Sequence, residues 1–393
     1  MNARPRVLMV TGNYFPETSG ASLQCRQLIR ALSDQVDFAV LTTSTDFTLP
    51  SHSVVDNVLV RRVAVDVTSP VSKAIAFERM ASSFIELASD VPIIHLHGFS
   101  QKNLLVVALA RLLGKRIVIK LTSIGHDDPV AIKARGRAAS LAYAQADAFI
   151  GVSPRFVDEF VAHGLDPRRF TFIPNGVDLD RFRPAVADEK QRLRRELGLR
   201  AELPMIVFVG FFSREKRPDV LFEAWADLFR NGRRSTLVMI GATAGQYYEI
   251  DPELAPAIRR RAADAGLSDH LVFVERTDRI EDYYRAADVF ALPTLREGLP
   301  NVLLESMASG IVPVITRLEG VTDWIVTPGE TGELVPPSDP DALSSALDRV
   351  LADPERSAVM AAAARAHVAA HFGMPITAQR TLALYQGLLA RDS

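Results

Sequence analysis

The sequence predicts an α/β protein built from two doubly wound parallel sheets. Short apolar, β-branched runs, such as residues 7–10 and 206–209, alternate with amphipathic helical stretches along the chain. Most of these runs are apolar at consecutive positions, which is typical of parallel strands covered on both faces. A repeated strand–helix order favours right-handed crossovers between the strands. Because 393 residues exceed what one core usually supports, we expect two domains.

The elements follow in order. Candidate strands in the first half lie at residues 7–10, 38–42, 93–96, 117–121, 148–152 and 171–173. In the second half they lie at residues 206–209, 237–240, 271–274, 289–292 and 312–315. Helical spacing of apolar residues predicts helices that include residues 77–87, 104–113, 301–308 and 376–389.

A boundary between the halves is predicted at residues 174–186. Pro174, Asn175 and Gly176 end a strand with turn chemistry, which makes Asn175 structural, and a charged stretch at 188–200 precedes the next strand. The predicted domains are residues 1–180 and 181–375; the pattern alone does not assign the last helix. Since open parallel sheets bind ligands beyond their carboxyl strand ends, we expect a cleft between the halves.

Composition excludes several classes of function. Apolar residues at 48% and charged residues at 23% are typical of a soluble globular protein. A formal net charge of −2 gives no overall attraction to nucleic acid, so none is expected as a partner. The single cysteine, Cys25, fits a reducing cytoplasm and argues against a cysteine-based zinc site. Apolar runs stay far below the roughly 20 residues that span a bilayer.

Basic residues cluster in the first half. They are Lys102, Arg111, Lys115, Arg116, Lys133, Arg135 and Arg137. One interpretation is a peripheral contact with an anionic membrane at its inner face, and the other is a set of solvated helix faces, which we favour. The oligomeric state stays open.

Residues 294–324, TLREGLPNVLLESMASGIVPVITRLEGVTDW, carry the strongest functional pattern. Glu297 lies in a loop, Pro300 stands where a helix can begin, and Glu305 lies one to two turns into that helix. The first-turn amides and the helix dipole favour an anion between the two carboxylates, each of which can accept hydroxyl protons. The pattern therefore suits a sugar joined through phosphates to a nucleoside.

Five segments together resemble the retaining glycosyltransferases of family 4. They are ADAFIGVSPRFVDEF, RFTFIPNGVDLDRFRP, VGFFSREKRPDVLFEAW, DYYRAADVFALPTLREGLPNVLLESMASGIVPVI and GELVPPSDPDAL, and the resemblance extends over residues 5–390. It implies the GT-B fold, two facing Rossmann-like domains, with the C-terminal helix at 376–393 crossing back onto the first. In the same way it implies sugar transfer from a UDP-, GDP- or ADP-linked donor to a hydroxyl of a glycan, glycolipid or small metabolite.

The resemblance also implies that neither a metal nor another cofactor is bound. The sequence agrees, since no Asp-x-Asp pair directly follows one of the predicted strands in the second half and no histidine cluster is present. We therefore expect amides and cations to meet the charge of the diphosphate.

Carried onto this chain, the family motif assigns the donor site. Glu297 matches the catalytic acid near the donor sugar, and Glu305 matches the acid that binds the ribose. The structural alternatives are a solvated loop carboxylate and a helix-surface glutamate. Backbone shape and amides near the distal phosphate would come from Gly298, Leu299, Pro300 and Asn301, which also make a good helix start.

The cations of the donor site depart from the family pattern. Lys216 matches the lysine that contacts the diphosphate, although a lysine in a charged loop is usually solvated. Family members often carry arginine after the preceding glycine, whereas this chain has Phe211. Either Arg214 supplies the second cation, which we favour, or Lys216 acts with the helix amides. Arg276 and Thr277 are weaker candidates near the nucleotide base.

On the acceptor side, the resemblance points to the loops after three strands. Gly20 would let the first loop approach the donor diphosphate and the acceptor. His126 is a candidate catalytic histidine, with Asp127 and Asp128 competing for the role, while strand register places the family histidine near Thr122. His126 alternatively is a loop histidine capped by Asp127.

A neighbouring strand end adds His95 and His97. At this strand end, His97 is expected to face the cleft and His95 to be structural.

Two rival functions share the predicted fold. A nucleotide-sugar 2-epimerase would convert the donor without an acceptor, and a non-catalytic protein would only bind the sugar nucleotide. The spaced pair of acids favours transfer.

Overall fold

The computed structural model describes residues 4–244 and 249–390, and the chain divides into two compact units. The N-terminal unit comprises Met1–Gly176 with Met374–Ser393, and the C-terminal unit comprises Val177–Gly373. The division falls after Gly176, whereas the sequence placed it after residue 180. No helix among the described residues combines the length and apolar character needed to cross a membrane.

The N-terminal unit is an eight-stranded sheet, counted over its described residues, with helices between the strands. Its strands are β1 (Arg6–Thr11), β2 (Asp37–Ser44), β3 (His52–Val55), β4 (Val58–Ala64), β5 (Ile93–His97), β6 (Arg116–Leu121), β7 (Ala148–Gly151) and β8 (Phe170–Phe172). Its helices are α1 (Gly20–Leu32), α2 (Pro70–Ala88), α3 (Lys102–Leu112), α4 (Pro129–Ala134), α5 (Arg137–Ala144) and α6 (Pro154–Ala162), with a 3-10 turn at Pro167–Arg169.

The strand order in this sheet is β3-β4-β2-β1-β5-β6-β7-β8. Every pair is parallel except β3 with β4, which form an antiparallel hairpin. The sequence pattern missed both strands of this hairpin. Asp56 and Asn57 at its tip have φ values of 49° and 63°, as a type I′ turn requires, so the Asp-Asn pair was the available signal.

The C-terminal unit contains a six-stranded parallel sheet in its described residues. The strands are β9 (Met205–Val209), β10 (Thr236–Ile240), β11 (Leu271–Val274), β12 (Val289–Leu292), β13 (Val312–Thr316) and β14 (Glu333–Val335). The helices are α7 (Ala187–Glu196), α8 (Pro218–Arg230), α9 (Leu254–Asp264), α10 (Ile280–Ala286), α11 (Asn301–Ala308), α12 (Pro340–Ala352) and α13 (Pro354–His371), with a 3-10 turn at Ser268–His270.

The order β11-β10-β9-β12-β13-β14 is the Rossmann order 3-2-1-4-5-6. The strands β9, β10, β12 and β13 are buried along most or all of their length, as expected from their consecutive apolar residues. The predicted fold class, two α/β units built on parallel sheets, is confirmed.

The last helix, α14 (Met374–Leu389), packs against α1 in the N-terminal unit. Tyr385 is fully buried there, and Thr377 Oγ1 donates a hydrogen bond to the carbonyl of Pro174 at 3.0 Å. Gln24 of α1 brackets Gly176 by donating to its carbonyl at 2.9 Å and accepting from its amide at 3.2 Å. A side chain at Gly176 would place Cβ 2.8 Å from the Met374 Cα, so the helix can approach only a glycine.

Gly176→Ala should therefore destabilise the protein by about 1–3 kcal/mol, because a backbone atom cannot move aside as easily as a side chain. Gly387→Ala on the exposed face of α14 is the matched control. Its Cβ would meet nothing within 4 Å, and removing a helical glycine should stabilise the protein by about 0.5–1 kcal/mol. Urea unfolding monitored by circular dichroism measures both. Equal stability of Gly176→Ala and the wild type would contradict the packing described for α14.

Candidate functional site

The strand order of the C-terminal unit reverses between β9 and β12, and ligands of open α/β sheets bind beyond the carboxyl ends at such a point. The loop after β9 carries Lys216, and the loop after β12 carries Glu297. The two loops are joined directly, because the amide of Leu295 donates to the carbonyl of Glu215 at 2.7 Å. Sequence-distant candidates for the donor site therefore lie side by side.

Glu297 and Lys216 form an ion pair. The Lys216 Nζ lies 2.5 Å from the Glu297 Oε1, and Glu297 is only 8% exposed. A carboxylate this far from water requires a cation or several donors, and Lys216 supplies the cation. The structure thus brings together the predicted catalytic acid and the predicted diphosphate lysine.

The helix start predicted beside Glu297 is present. α11 begins at Asn301 with Pro300 at its N-cap, and no side chain at the N-cap accepts a hydrogen bond from the first turn. Gly298, Leu299 and Pro300 are buried, while Asn301 is partly exposed. The positive end of the helix dipole therefore carries no capping side chain at this point and suits an anion.

Glu305 lies on α11 and is partly buried. Burial raises the pKa of its carboxyl to about 7, against smaller opposing effects of the Tyr284 hydrogen bond and the charge of Arg181. Tyr284 Oη donates to Glu305 Oε2 at 3.2 Å, and Tyr284 itself is fully buried in α10. The sequence analysis missed Tyr284. Its signal was a tyrosine at an apolar helix position, where a buried hydroxyl needs a partner.

Other donor candidates lie elsewhere. Arg214 is exposed on 87% of its side chain, and its Nε donates to Asp251 Oδ2 at 2.8 Å. Arg276 and Thr277 follow β11, the edge strand two places from β9. Arg276 is exposed, and Thr277 Oγ1 accepts a hydrogen bond from the Arg279 amide at 3.0 Å. Over the described parts of the chain, none of these three residues forms a hydrogen bond or ion pair with Glu297 or Glu305.

The acceptor-side candidates lie at the carboxyl ends of β1, β5 and β6, three neighbouring strands, and the sheet order reverses between β1 and β5. Gly20 is the first residue of α1, directly after Ser19, which caps the helix through a capping box with Ser22. The loop between β1 and α1 is thereby fixed where it enters the helix.

His97 ends β5 but lies in the interior, 5% exposed, and its ring stacks on His95 with centroids 4.5 Å apart. Burial, followed by the charges of His95 and Lys120, holds the pKa of His97 well below its usual value. His95 is bonded to Tyr385 at 2.6 Å, and burial lowers its pKa to about 3. Both histidines are neutral core residues, so the expectation that His97 faces a ligand is not supported by its placement.

Asp127 organises the loop after β6. Its carboxylate accepts hydrogen bonds from the Phe99 amide at 2.8 Å, the Thr122 amide at 3.0 Å and the Thr122 hydroxyl. Asp128 caps α4 by accepting from the Ala131 amide at 2.9 Å. Both aspartates are buried and His126 is more exposed, so His126 is the member of this trio better placed to meet a ligand.

Within residues 4–244 and 249–390, no group of three or more histidine, cysteine, aspartate or glutamate side chains is arranged to hold a metal. The expectation of a metal-independent site stays a prediction.

Comparison with known families identifies the chain. Residues 189–367 match the family "Glycosyl transferases group 1", and residues 19–176 match the "Glycosyl transferase 4-like domain". The chain belongs to the group 1 glycosyltransferases. The predicted family is confirmed, and with it an enzyme of the class that transfers a sugar from a nucleotide-sugar donor.

Similar curated proteins include D-inositol 3-phosphate glycosyltransferases. The protein from Kribbella flavida is 29% identical over 394 residues, which cover 94% of this chain and 91% of that protein. The protein from Acidothermus cellulolyticus is 36% identical over 234 residues. The matched region covers 58% of this group 1 glycosyltransferase and 50% of the relative.

Solved structures share the fold. Sucrose-phosphate synthase from Thermosynechococcus elongatus superposes with a TM-score of 0.80 at 24% identity, covering 99% of this chain and all of that one. Anabaena HepE in complex with UDP and glucose superposes with a TM-score of 0.79 at 15% identity, covering 98% and 100%. The predicted GT-B fold is confirmed.

Glu305 should make stability depend on pH. Its folded-state pKa of about 7 lies above the ordinary 4.5, so its contribution is complete below about pH 4.5 and is lost as the pH rises through about 7. When the pH is raised from about 4.5 to about 8, the free energy of unfolding of Glu305→Gln should therefore rise by about 1–3 kcal/mol relative to that of the wild type.

Urea unfolding at both pH values measures this difference, with exposed Glu202→Gln as the control. A stability difference between Glu305→Gln and the wild type that stays constant with pH would show that Glu305 is not desolvated.

Proposed function

We propose that this glycosyltransferase holds a nucleotide sugar in its C-terminal unit and transfers the sugar, with retained anomeric configuration, to a hydroxyl acceptor bound by its N-terminal unit. The observation that carries the proposal is the juxtaposition of the Lys216–Glu297 pair with the uncapped start of α11. Glu305 follows on the same helix. A cation, a helix dipole and two carboxylates match a diphosphate flanked by two hydroxyl-bearing groups.

Each residue has a defined role in this proposal. Glu305 accepts hydrogen bonds from the ribose hydroxyls, and Tyr284 holds its carboxylate in place. The backbone N–H groups of Gly298, Leu299 and Asn301 face the distal phosphate, while Pro300 has no N–H and only shapes the turn. Lys216, which neutralises Glu297 in this structure, donates to the diphosphate when the donor is bound. Arg214, Arg276 and Thr277 remain secondary candidates for the donor.

In the reaction, the bond between the anomeric carbon and the diphosphate oxygen breaks, and the electron pair leaves with the nucleoside diphosphate. The acceptor oxygen attacks from the same face, and its proton passes to the departing phosphate oxygen. The Glu297 carboxylate stabilises positive charge developing at the anomeric carbon, and Lys216 with the α11 amides stabilises the leaving group. No step of this reaction requires a bound metal.

The first ligands to test follow from related proteins. HepE was solved with UDP and with UDP-glucose, and a starch synthase of the same fold was solved with ADP. Several relatives are named D-inositol 3-phosphate glycosyltransferases. UDP-glucose is therefore the first donor and D-inositol 3-phosphate the first acceptor. His126, on the loop after β6, and the Gly20 loop are proposed to approach the acceptor.

Substitution of the two acids should separate binding from chemistry. Glu305→Ala should weaken UDP-glucose binding about tenfold to a hundredfold, because it removes a charge-assisted acceptor for the ribose hydroxyls. Glu297→Ala should keep that affinity within a few-fold and lower turnover by about 10²–10³. Isothermal titration calorimetry gives the affinities, and UDP release with D-inositol 3-phosphate as acceptor gives turnover.

Glu202→Ala, an exposed glutamate of the same unit, is the control for both measurements. Equal UDP-glucose affinity in Glu305→Ala and the wild type would refute the ribose assignment. Conversion of the donor to an epimer without acceptor would replace the transferase proposal with an epimerase.

A further inference from the structure

The N-terminal unit contains a cavity of about 500 Å³ that the proposed transfer chemistry leaves unassigned. It is lined by Ser44, Asp46, Phe47, Leu49, Ser51, Arg61, Arg62, Val63, Ala64, Arg79, Ser82, Ser83 and Glu86. These residues lie on β2, β4, α2 and the segment after β2. The cavity includes the carboxyl ends of β2 and β4, which pair as far as Ser44 with Ala64. Ligands of parallel sheets bind at this edge.

The wall of the cavity has an excess of positive charge. Three guanidinium groups face two carboxylates, and one carboxylate, Glu86, is already paired with Arg61. The other, Asp46, accepts hydrogen bonds from the Thr48 amide at 2.8 Å and the Thr48 hydroxyl at 2.6 Å. Arg79 is exposed, and its guanidinium forms no ion pair or hydrogen bond with another described residue.

Arg62 contributes a buried donor without an acceptor. It is 5% exposed; its terminal nitrogens donate to Ser53 Oγ at 2.6 Å and to the Phe15 carbonyl. Its Nε is buried and has no hydrogen-bond partner among the described residues, as is also true of the Arg61 Nε. Leaving such donors unsatisfied is costly, and neither finds an acceptor among the described residues around the cavity.

From these observations we infer that the cavity binds an oxyanion carried by the acceptor: a phosphate, sulfate or carboxylate attached to a hydroxyl-bearing ring. The inference rests on the proposed function and names the chemical class of its acceptor. Arg79 and Arg62 meet the anion, because guanidinium groups match oxyanions in charge and in donor geometry. Ser51, Ser82 and Ser83 offer partners for ring hydroxyls.

Position and size agree with this role. Arg62 binds the Phe15 carbonyl, and Phe15 belongs to the loop between β1 and α1 that leads to Gly20. A volume of about 500 Å³ falls within the usual range for small-molecule sites and accommodates one phosphorylated ring. A neutral acceptor would leave the Arg79 charge without a partner among the described residues, so the cavity should discriminate against it.

Calorimetry on the full-length enzyme tests the inference with three probes: D-inositol 3-phosphate, unphosphorylated inositol and inorganic phosphate. The phosphorylated ring should bind at least about tenfold more tightly than either of the others. Arg79→Gln should weaken its binding about fivefold to tenfold, and Arg79→Lys, which keeps the charge, should weaken it less. Arg137→Gln makes the same charge change at an exposed position of the same unit outside the cavity and should have no effect.

Three results would overturn the inference. They are equal binding by Arg79→Gln and Arg137→Gln, no binding of the phosphorylated ring to the wild type at about 10 mM, and inorganic phosphate binding as tightly as the phosphorylated ring. The last result would assign the cavity to a free anion. UDP-glucose affinity in the same variants separates the two proposals. The UDP-glucose affinity should be unchanged by Arg79→Gln. Failure of the wild type to bind UDP-glucose would refute the proposed donor site but would leave the test of the cavity unaffected.

Discussion

The ion pair between Lys216 and Glu297 is the interaction on which the candidate donor site depends. Glu297 is almost fully removed from water, and burying a carboxylate is costly unless a partner such as the Lys216 ammonium compensates it. The pair joins the loops that follow β9 and β12, the two strands between which the sheet order reverses. It therefore fixes the catalytic candidate next to the start of α11.

Glu305, the second carboxylate of the candidate donor site, has a neutral partner and forms no ion pair with a described residue. Glu305 has a tyrosine hydroxyl as its partner, and burial raises the pKa of its carboxyl towards neutrality. A carboxylate with one neutral donor retains capacity to accept further hydrogen bonds, which is what recognition of a ribose requires. Glu297 is thus paired with a cation in this structure, whereas Glu305 keeps acceptor capacity that the hydroxyl groups of a ligand can use. This difference supports separate roles for the two acids in donor binding and in chemistry.

Much of the fold was predictable because buried parallel strands carry consecutive apolar residues, and α11 was predicted at residues 301–308, where the structure has it. β3 escaped because its residues are exposed or half-buried, β4 because two arginines interrupt its apolar run, and β14 because it is only three residues long. The pairing of Glu297 with Glu305 followed from the loop-to-helix pattern of residues 294–324, whereas the addition of Lys216 to the same site came from the resemblance to a family.

The contact of Lys216 with Glu297 joins residues 81 positions apart and is a matter of side-chain packing, which no local pattern encodes. The same holds for Tyr284 beside Glu305 and for the burial of His97. Side-chain alternation places residues two apart on the same face of β5, so the rings of His95 and His97 stack, and the different placements expected for them were wrong because both rings lie in the interior.

A crystal structure of the enzyme with UDP-glucose tests the central claim most directly. The account predicts the ribose hydroxyls within hydrogen-bond distance of Glu305, the distal phosphate at the first amides of α11, and the Lys216 ammonium moved from Glu297 to the diphosphate. A nucleotide bound away from the carboxyl ends of β9 and β12, with the Lys216–Glu297 pair unchanged, would contradict it.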